Sequence, residues 1–237
     1  MERTRLRVVV WNCNGGFRRK QSVIGWLQPD IAIIPEASED FADGFPNTQS
    51  SSLWVGTHAK RGLAVLALNG WSLARADIDV EQRLFLPCIA TRSRSRIHVI
   101  AVCARRTTDY VSPTLGALQD LSDFTREAPC IVAGDFNGSV FFDGKRPKPF
   151  RLVIESLERL GLKSAWHHFH GEKFGEEAAH TYFMKRGGDL KGFHIDYAFV
   201  SNALGLEGVE INSYAEHHGG KVSDHFPLSV DLRLPTL

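Results

Sequence analysis

The sequence predicts an α/β fold in which two mixed β-sheets pack face to face with helices outside. Short apolar, β-rich runs recur from one end of the chain to the other. Between residues 62 and 104 consecutive runs follow one another with no helical pattern between them, which rules out a plain βαβ alternation. Helical patterns are few, and their stripes of apolar residues read as core packing.

Leu6 to Trp11 is the first strand by length and residue type. Arg19 to Gln28 reads as a helix that buries Val23, Trp26 and Leu27. It stops at Pro29, whose ring disfavours helical backbone at the preceding residue. Strands at Asp30 to Pro35, Gly62 to Leu68, Leu84 to Thr91 and Ile97 to Ala104 follow. Ser112-Pro113 offers an N-cap and first-turn pair for a helix with Leu115, Leu118, Leu121 and Phe124 inward. After a strand at Cys130 to Gly134, the residues Phe150, Val153, Ile154, Leu157 and Leu160 share one helical stripe, closed by Gly161. His194 to Val200 and Pro227 to Leu234 are the last strands. In the latter, Leu228, Val230, Leu232 and Leu234 face one side and Ser229, Asp231 and Arg233 the other. No repeat or linker divides the pattern, so residues 1–237 are expected to form one domain.

With 43% hydrophobic and 23% charged residues over 237 positions, the chain can bury a core without disulfides or a structural metal. A formal net charge of +1 excludes a whole-molecule basic field, so contact with nucleic acid must rest on local clusters. Cys13, Cys88, Cys103 and Cys130 form no CxxC pair and read as buried free thiols of a reducing compartment. The N-terminal apolar run is too short for a signal segment or a membrane span, so a soluble, cytoplasmic protein is expected, without membrane or obligate protein partner.

Polar groups cluster at strand ends. Val8-Val9-Val10-Trp11 runs into Asn12-Cys13-Asn14-Gly15-Gly16, and Ile31-Ala32-Ile33-Ile34 into Pro35-Glu36. Ile131-Val132-Ala133 runs into Gly134-Asp135-Phe136-Asn137-Gly138, and Ser223-Asp224-His225 precedes the final strand. Singly, each reads as a turn or cap. Together they place carboxylates, amides and an imidazole where strand ends converge on one rim of a sheet sandwich, as a metal site requires.

Trp11-Asn12-Cys13-Asn14-Gly15, Pro35-Glu36, Gly134-Asp135-Phe136-Asn137, His194-Ile195-Asp196-Tyr197 and Ser223-Asp224-His225-Phe226-Pro227 resemble, in order, the successive motifs of the endonuclease/exonuclease/phosphatase superfamily. The resemblance spans residues 11 to 227. It implies a four-layered α/β sandwich and a phosphodiesterase dependent on Mg²⁺ or Mn²⁺. It implies Glu36 as the main metal ligand, since a hard cation prefers carboxylate oxygens, with Asp224 in direct or water-mediated contact. Asn12 would orient the metal or a phosphate oxygen. Asp135 would orient or deprotonate the attacking water, and Asn137 would hold a phosphate oxygen or the Asp135 side chain. His225, with Asp196 on its other ring nitrogen, would stabilise transition-state charge. Asn14, where some relatives carry Asp, and His194 fall to substrate binding.

One departure stands out. Relatives carry a Tyr or His on the scissile phosphate at the end of the strand corresponding to Ile97 to Ala104; here the chain reads Cys103-Ala104-Arg105-Arg106. Arg105, whose guanidinium can grip phosphate oxygens, and Tyr110 are the candidate replacements.

Arg18-Arg19-Lys20, Arg105-Arg106, Lys145-Arg146-Lys148, Lys185-Arg186 and Lys191 would form a cationic collar suited to a nucleic-acid backbone, with Trp54, Trp71, Tyr182 and Phe183 as stacking candidates. A DNA or RNA nuclease is therefore expected. The alternatives are hydrolysis of a small or lipid phosphoester, a zinc site at His167, His168, His170 and His180, and a nucleic-acid-binding module without turnover.

Overall fold

A strand that is apolar on both faces needs cover on both sides, and the structure supplies it with four layers. The computed structural model describes residues 5–45, 51–212 and 222–235. β1 (Arg5–Val10) passes through a 3-10 turn (Phe17–Arg19) into α1 (Gln21–Leu27) and returns as β2 (Ile31–Ala37). β3 (Ser51–His58) and β4 (Arg61–Ala67) pair, then β5 (Ser72–Arg75), β6 (Phe85–Arg92) and β7 (Ser95–Cys103) meander. α2 (Val111–Asp120) and α3 (Ser122–Glu127) cross back to β8 (Cys130–Asp135). A 3-10 turn at Val140–Phe142 leads to α4 (Arg151–Arg159), β9 (Leu162–Ser164) and α5 (Ala165–His170). β10 (Tyr182–Arg186) and β11 (Asp189–Phe193) form a separate ribbon, followed by β12 (Asp196–Ser201), β13 (Gly205–Ile211) and β14 (Leu228–Arg233).

The first sheet has the order β13-β14-β1-β2-β4-β3 and the second β5-β6-β7-β8-β12-β9. Each contains one parallel pair, β1 with β2 and β7 with β8, joined by helical crossovers as parallel strands require. Alternation along β1 sorts its side chains: Val8 and Val10 face the layer between the sheets, Val9 and Trp11 the outer layer. From the second sheet Val99, Ala101, Ile131 and Ala133 meet the first in the central layer. Val23, Ile24 and Leu27 of α1 cover the first sheet outside, and Leu118, Phe124, Val153 and Leu157 of α2, α3 and α4 cover the second. Each fully buried aliphatic side chain in these layers contributes roughly 1.5–3 kcal/mol.

The predicted strands are present within two residues at each end, and β14 alternates as expected, with Leu228, Val230 and Leu232 fully buried. The helices needed correction. Trp26 is 38% exposed, because α1 turns only Val23, Ile24 and Leu27 inward. The helix predicted from Ser112 starts at Val111 with Tyr110 at its N-cap, and the Asp109 carboxylate just before it accepts from Ser112 N and Oγ, both at 2.6 Å. It breaks at Leu121, so Phe124 belongs to α3. All four cysteines are buried and free, as expected. Among the described residues no helix is long and apolar enough to cross a membrane.

Candidate active site

The two sheets meet at the rim where β1, β2 and β8 end. Asn12, just past β1, donates through Nδ2 to Asp135 Oδ2 across the sandwich at 2.9 Å. Its Oδ1 accepts from Asn14 N at 2.9 Å, which closes the Asn12–Asn14 turn. Asp135 is the last residue of β8 and pairs in register with Asp196, the first of β12, so pairing sets two carboxylates side by side. Asn137 completes the cradle: its N donates to Asp135 Oδ1 at 2.9 Å and its Nδ2 to Asp135 Oδ2 at 3.0 Å. Before Asp135 stands Gly134 at φ +148°, where a Cβ would lie 1.9 Å from the Val102 carbonyl oxygen. Glycine is thus what lets β8 approach β7 at this point.

His225 donates through Nδ1 to Asp196 Oδ2 at 2.8 Å. Its own loop is tied to β1. His225 N donates to Ser223 Oγ at 3.1 Å, Ser223 Oγ donates to Asn12 O at 2.7 Å, and Trp11 Nε1 donates to His225 O at 3.2 Å. Tyr182 forms an isolated bridge with His225, with ring centroids 4.7 Å apart. Asp135, Asp196 and His225 are buried, and each has a candidate ligand atom within 4.8 Å of the others'. Asp196 Oδ1 has no protein partner.

Burial works against ionisation here, and the carboxylates oppose one another. Burial, then the charge of Asp196, raise the Asp135 carboxyl above its ordinary range, while His225 and the amide of Asn12 hold it partly down. For His225 burial alone would lower the pKa, but the charge and hydrogen bond of Asp196 outweigh it and raise it to about 9. An imidazolium therefore persists at neutral pH beside a carboxyl poised to take a proton.

Glu36 lies at a bulge of β2 between Pro35 and Ala37, with φ 63°, an unusual backbone for a residue other than glycine or asparagine. Left-handed backbone at such residues gathers at functional sites at a cost of about 1–3 kcal/mol. Asn14 and Asn137 share this conformation. Arg61, the first residue of β4, reaches Glu36 Oε2 at 3.2 Å and Asn14 Oδ1 at 3.3 Å. Lys20 donates to Cys13 O at 2.5 Å, with the charges of Asp224 and Glu36 acting on it. Asp224 is half-buried, and its carbonyl oxygen accepts from Phe183 N at 2.8 Å. Among the described residues the group of carboxylates and imidazoles close enough to share one ion is Asp135, Asp196 and His225, and Glu36 and Asp224 are not part of it. The unpartnered Asp196 oxygen is the kind of hard donor that Mg²⁺ or Mn²⁺ takes.

The remaining candidates divide. Arg105 is exposed at the end of β7, while Asn137 Nδ2 also reaches the neighbouring Ala104 O at 3.1 Å. Tyr110 is half-buried under the Arg146 guanidinium, which lies 5.4 Å from its ring centroid and whose Nη1 donates to Asn137 O at 2.8 Å. His194 points away from the cradle: it is 1% exposed, packs on Trp166, His167 and Tyr197, and uses Nδ1 on Ala179 O. Of the stacking candidates, Trp71 is buried, Trp54 donates to Ala37 O, Phe183 packs on Phe226, and Tyr182 borders the site. The four histidines considered for zinc do not converge. His167 binds Ser164 and Glu177, His168 meets Lys163, His170 meets Val209 O, and His180 lies over Gly192. Lys20 and Arg146 stand in loops beside the motifs and belong to the expected cationic collar, whereas Arg61, the first residue of β4, carries no such signal and meets Glu36 through tertiary placement alone.

The fold and this rim define a class. The family model described as Endonuclease/Exonuclease/phosphatase family matches residues 9–225, so the chain belongs to that family of hydrolases. Among solved structures the chain is similar to the 3′-5′ exonuclease NExo from Neisseria meningitidis, at 21% identity and TM-score 0.72, covering 96% of this chain and all of that one. It is also similar to the 3′ phosphatase NExo from Neisseria bound to product DNA hairpin, at 20% identity and TM-score 0.69 over 95% of this chain and 98% of that one. TDP2 from D. rerio complexed with single strand DNA product is 13% identical with TM-score 0.71, over 97% of this chain and 99% of that one. No curated protein matches the chain in sequence.

Proposed function

We propose that the chain is a divalent-metal-dependent phosphodiesterase acting on nucleic acid, a DNA or RNA nuclease. The observation that carries the reading is the continuous hydrogen-bonded set Asn12–Asp135–Asn137 beside Asp196–His225 at one rim. Asp135 takes the proton of the attacking water, since its raised pKa brings it toward working pH and its amide partners fix the carboxylate plane. Asn12 and Asn137 orient that carboxylate, and Asn14 lies beside the phosphate. His225, held protonated by Asp196, donates from Nε2 to a phosphoryl oxygen as negative charge grows in the transition state.

Glu36 and Asp224 would hold the Mg²⁺ or Mn²⁺, which supplies charge neutralisation at the phosphate and leaving oxygen. The Asp135–Asp196–His225 cluster is the tighter geometric group, but His225 Nδ1 is already committed to Asp196, so we assign that cluster to proton handling. Arg61 and Lys20 add fixed positive charge beside Glu36. Arg105 and Tyr110 remain the candidates for gripping the phosphate. Relatives in fold whose structures contain DNA product support the substrate class.

The test is hydrolysis of plasmid DNA, single-stranded DNA, RNA and bis-p-nitrophenyl phosphate with Mg²⁺, Mn²⁺ or EDTA. EDTA-sensitive cleavage of a nucleic acid is expected. Hydrolysis of bis-p-nitrophenyl phosphate alone would keep the chemistry and move the substrate to a small phosphoester. No EDTA-sensitive hydrolysis of any of them would overturn the enzyme reading.

A further inference from the structure

Just past the Asp135 cradle, the turn at Val140–Phe142 carries an aromatic surface that the proposed chemistry does not use. Phe141 is 49% exposed, an uncommon state for a phenyl ring. Phe142 and Phe193 support it, with centroids 5.5 and 5.6 Å from that of Phe141 and 5.1 Å from each other. Two cations lie on this surface: Lys145 Nζ is 4.2 Å from the Phe141 ring centroid and Arg146 Cζ is 4.0 Å from that of Phe142. The same Arg146 donates to Asn137 O at 2.8 Å, so the surface is physically continuous with the catalytic rim.

The turn is pre-formed. Ser139 Oγ accepts from Phe141 N at 3.2 Å and Ser139 O from Phe142 N at 3.0 Å, while the Asp143 carboxylate accepts from Phe150 N at 2.6 Å. A ring held still in solvent loses little entropy when a second π-face covers it. Aromatic rings interleaved with cations along a rim are the arrangement that binds single-stranded nucleic acid, the rings taking bases and the cations the backbone. A packed duplex offers no free base face to such a surface.

We propose that Phe141, backed by Phe142 and Phe193, is a stacking platform for an unpaired base next to the scissile phosphate, with Lys145 and Arg146 pairing with the flanking phosphates. The platform selects single-stranded or frayed ends over intact duplex. It rests on the nuclease reading, and the following measurement separates the two.

Fluorescence anisotropy of a 5′-fluorescein oligothymidylate, as single strand and as its duplex with oligoadenylate, is read in EDTA so that turnover does not intervene. Phe141→Ala and Phe141→Leu should each weaken single-strand binding about tenfold, and Phe141→Trp should restore it. Duplex binding should change less than twofold in all three. Leucine keeps apolar area without a π-face, so an unaffected Phe141→Leu would overturn stacking. Single-strand binding that is undetectable, or insensitive to Phe141→Ala, or an equal loss on duplex, would overturn the platform. Phe141-dependent binding without any metal-dependent cleavage would uphold the platform and sink the nuclease reading instead.

Discussion

Replacing Asp196 by Asn removes one charge while leaving an oxygen able to accept from His225 Nδ1, so the ring keeps its tautomer and pose. The amide nitrogen then occupies the place of the Asp196 oxygen that has no protein partner. With the carboxylate present the imidazole titrates at about 9 against an ordinary 6.5, although burial pulls the other way. With that charge gone, burial pulls it back toward the ordinary 6.5. At pH 8 the imidazolium fraction then falls from ~90% to ~3%, a loss of about 30-fold in rate from protonation alone, whereas at pH 6 the loss is below about twofold. Asp196 also helps to raise the Asp135 carboxyl, so the acid limb of the profile should move down as well. The assay is the pH dependence of kcat on bis-p-nitrophenyl phosphate, wild type against Asp196→Asn, with near-UV circular dichroism to verify the fold. Both limbs should shift to lower pH. A variant whose alkaline limb coincides with that of the wild type would refute the assignment of His225 as a charged donor held by Asp196.

Asp135→Asn and His225→Ala should each lower turnover by at least about 10²-fold with the fold intact, and near-normal rates in both would sink the mechanism. His194 gives a stability prediction unconnected with turnover. Burial lowers its pKa to about 4, so the native state holds it neutral. The stability this represents is complete above the unfolded value of 6.5 and is lost as pH falls toward 4. Between pH 7 and pH 4.5 the wild type should lose about 2.5 kcal/mol more than His194→Asn, measured by urea denaturation. Equal losses would show that another group controls acid sensitivity.

Much of the architecture was legible because the central strands are covered on both faces and read as unbroken apolar runs. β3, β5, β9, β10, β11 and β13 were not found. β3, β5, β9 and β13 lie at sheet edges and β10 with β11 forms a ribbon, so packing on one face and pairing on one side suffice, and polar residues are admitted. Gly192 and Lys191 in β11 show how little such a strand resembles a core segment. At the site, Asn12, Asp135, Asn137, Asp196 and His225 announced themselves by following or preceding apolar strands, and strand pairing brings them together. Their supports could not be read that way. Arg61 reaches Glu36 only because β4 runs beside β2, and Arg146 reaches Asn137 only through the fold of its own turn. His194 stands two residues before Asp196 in sequence, but it lies in the connection between β11 and β12 rather than in the strand, and its ring packs on Trp166 with Nδ1 on Ala179 O.

The position of β14 governs when this rim can exist at all. It lies between β13 and β1, and the residues immediately before it supply Asp224 and His225. Until residues 228–233 have left the ribosome, β1 lacks one neighbour and the Asp135 cradle lacks its imidazole. The β1–β14 pairing joins residues near the two ends of the sequence, so it can form only once nearly the whole chain has been made. A growing chain that has already exposed Asn12, Glu36 and Asp135 still lacks Asp224, His225 and the β14 neighbour of β1, so its rim is incomplete. Proteolytic loss of the same short segment would silence the enzyme in one step.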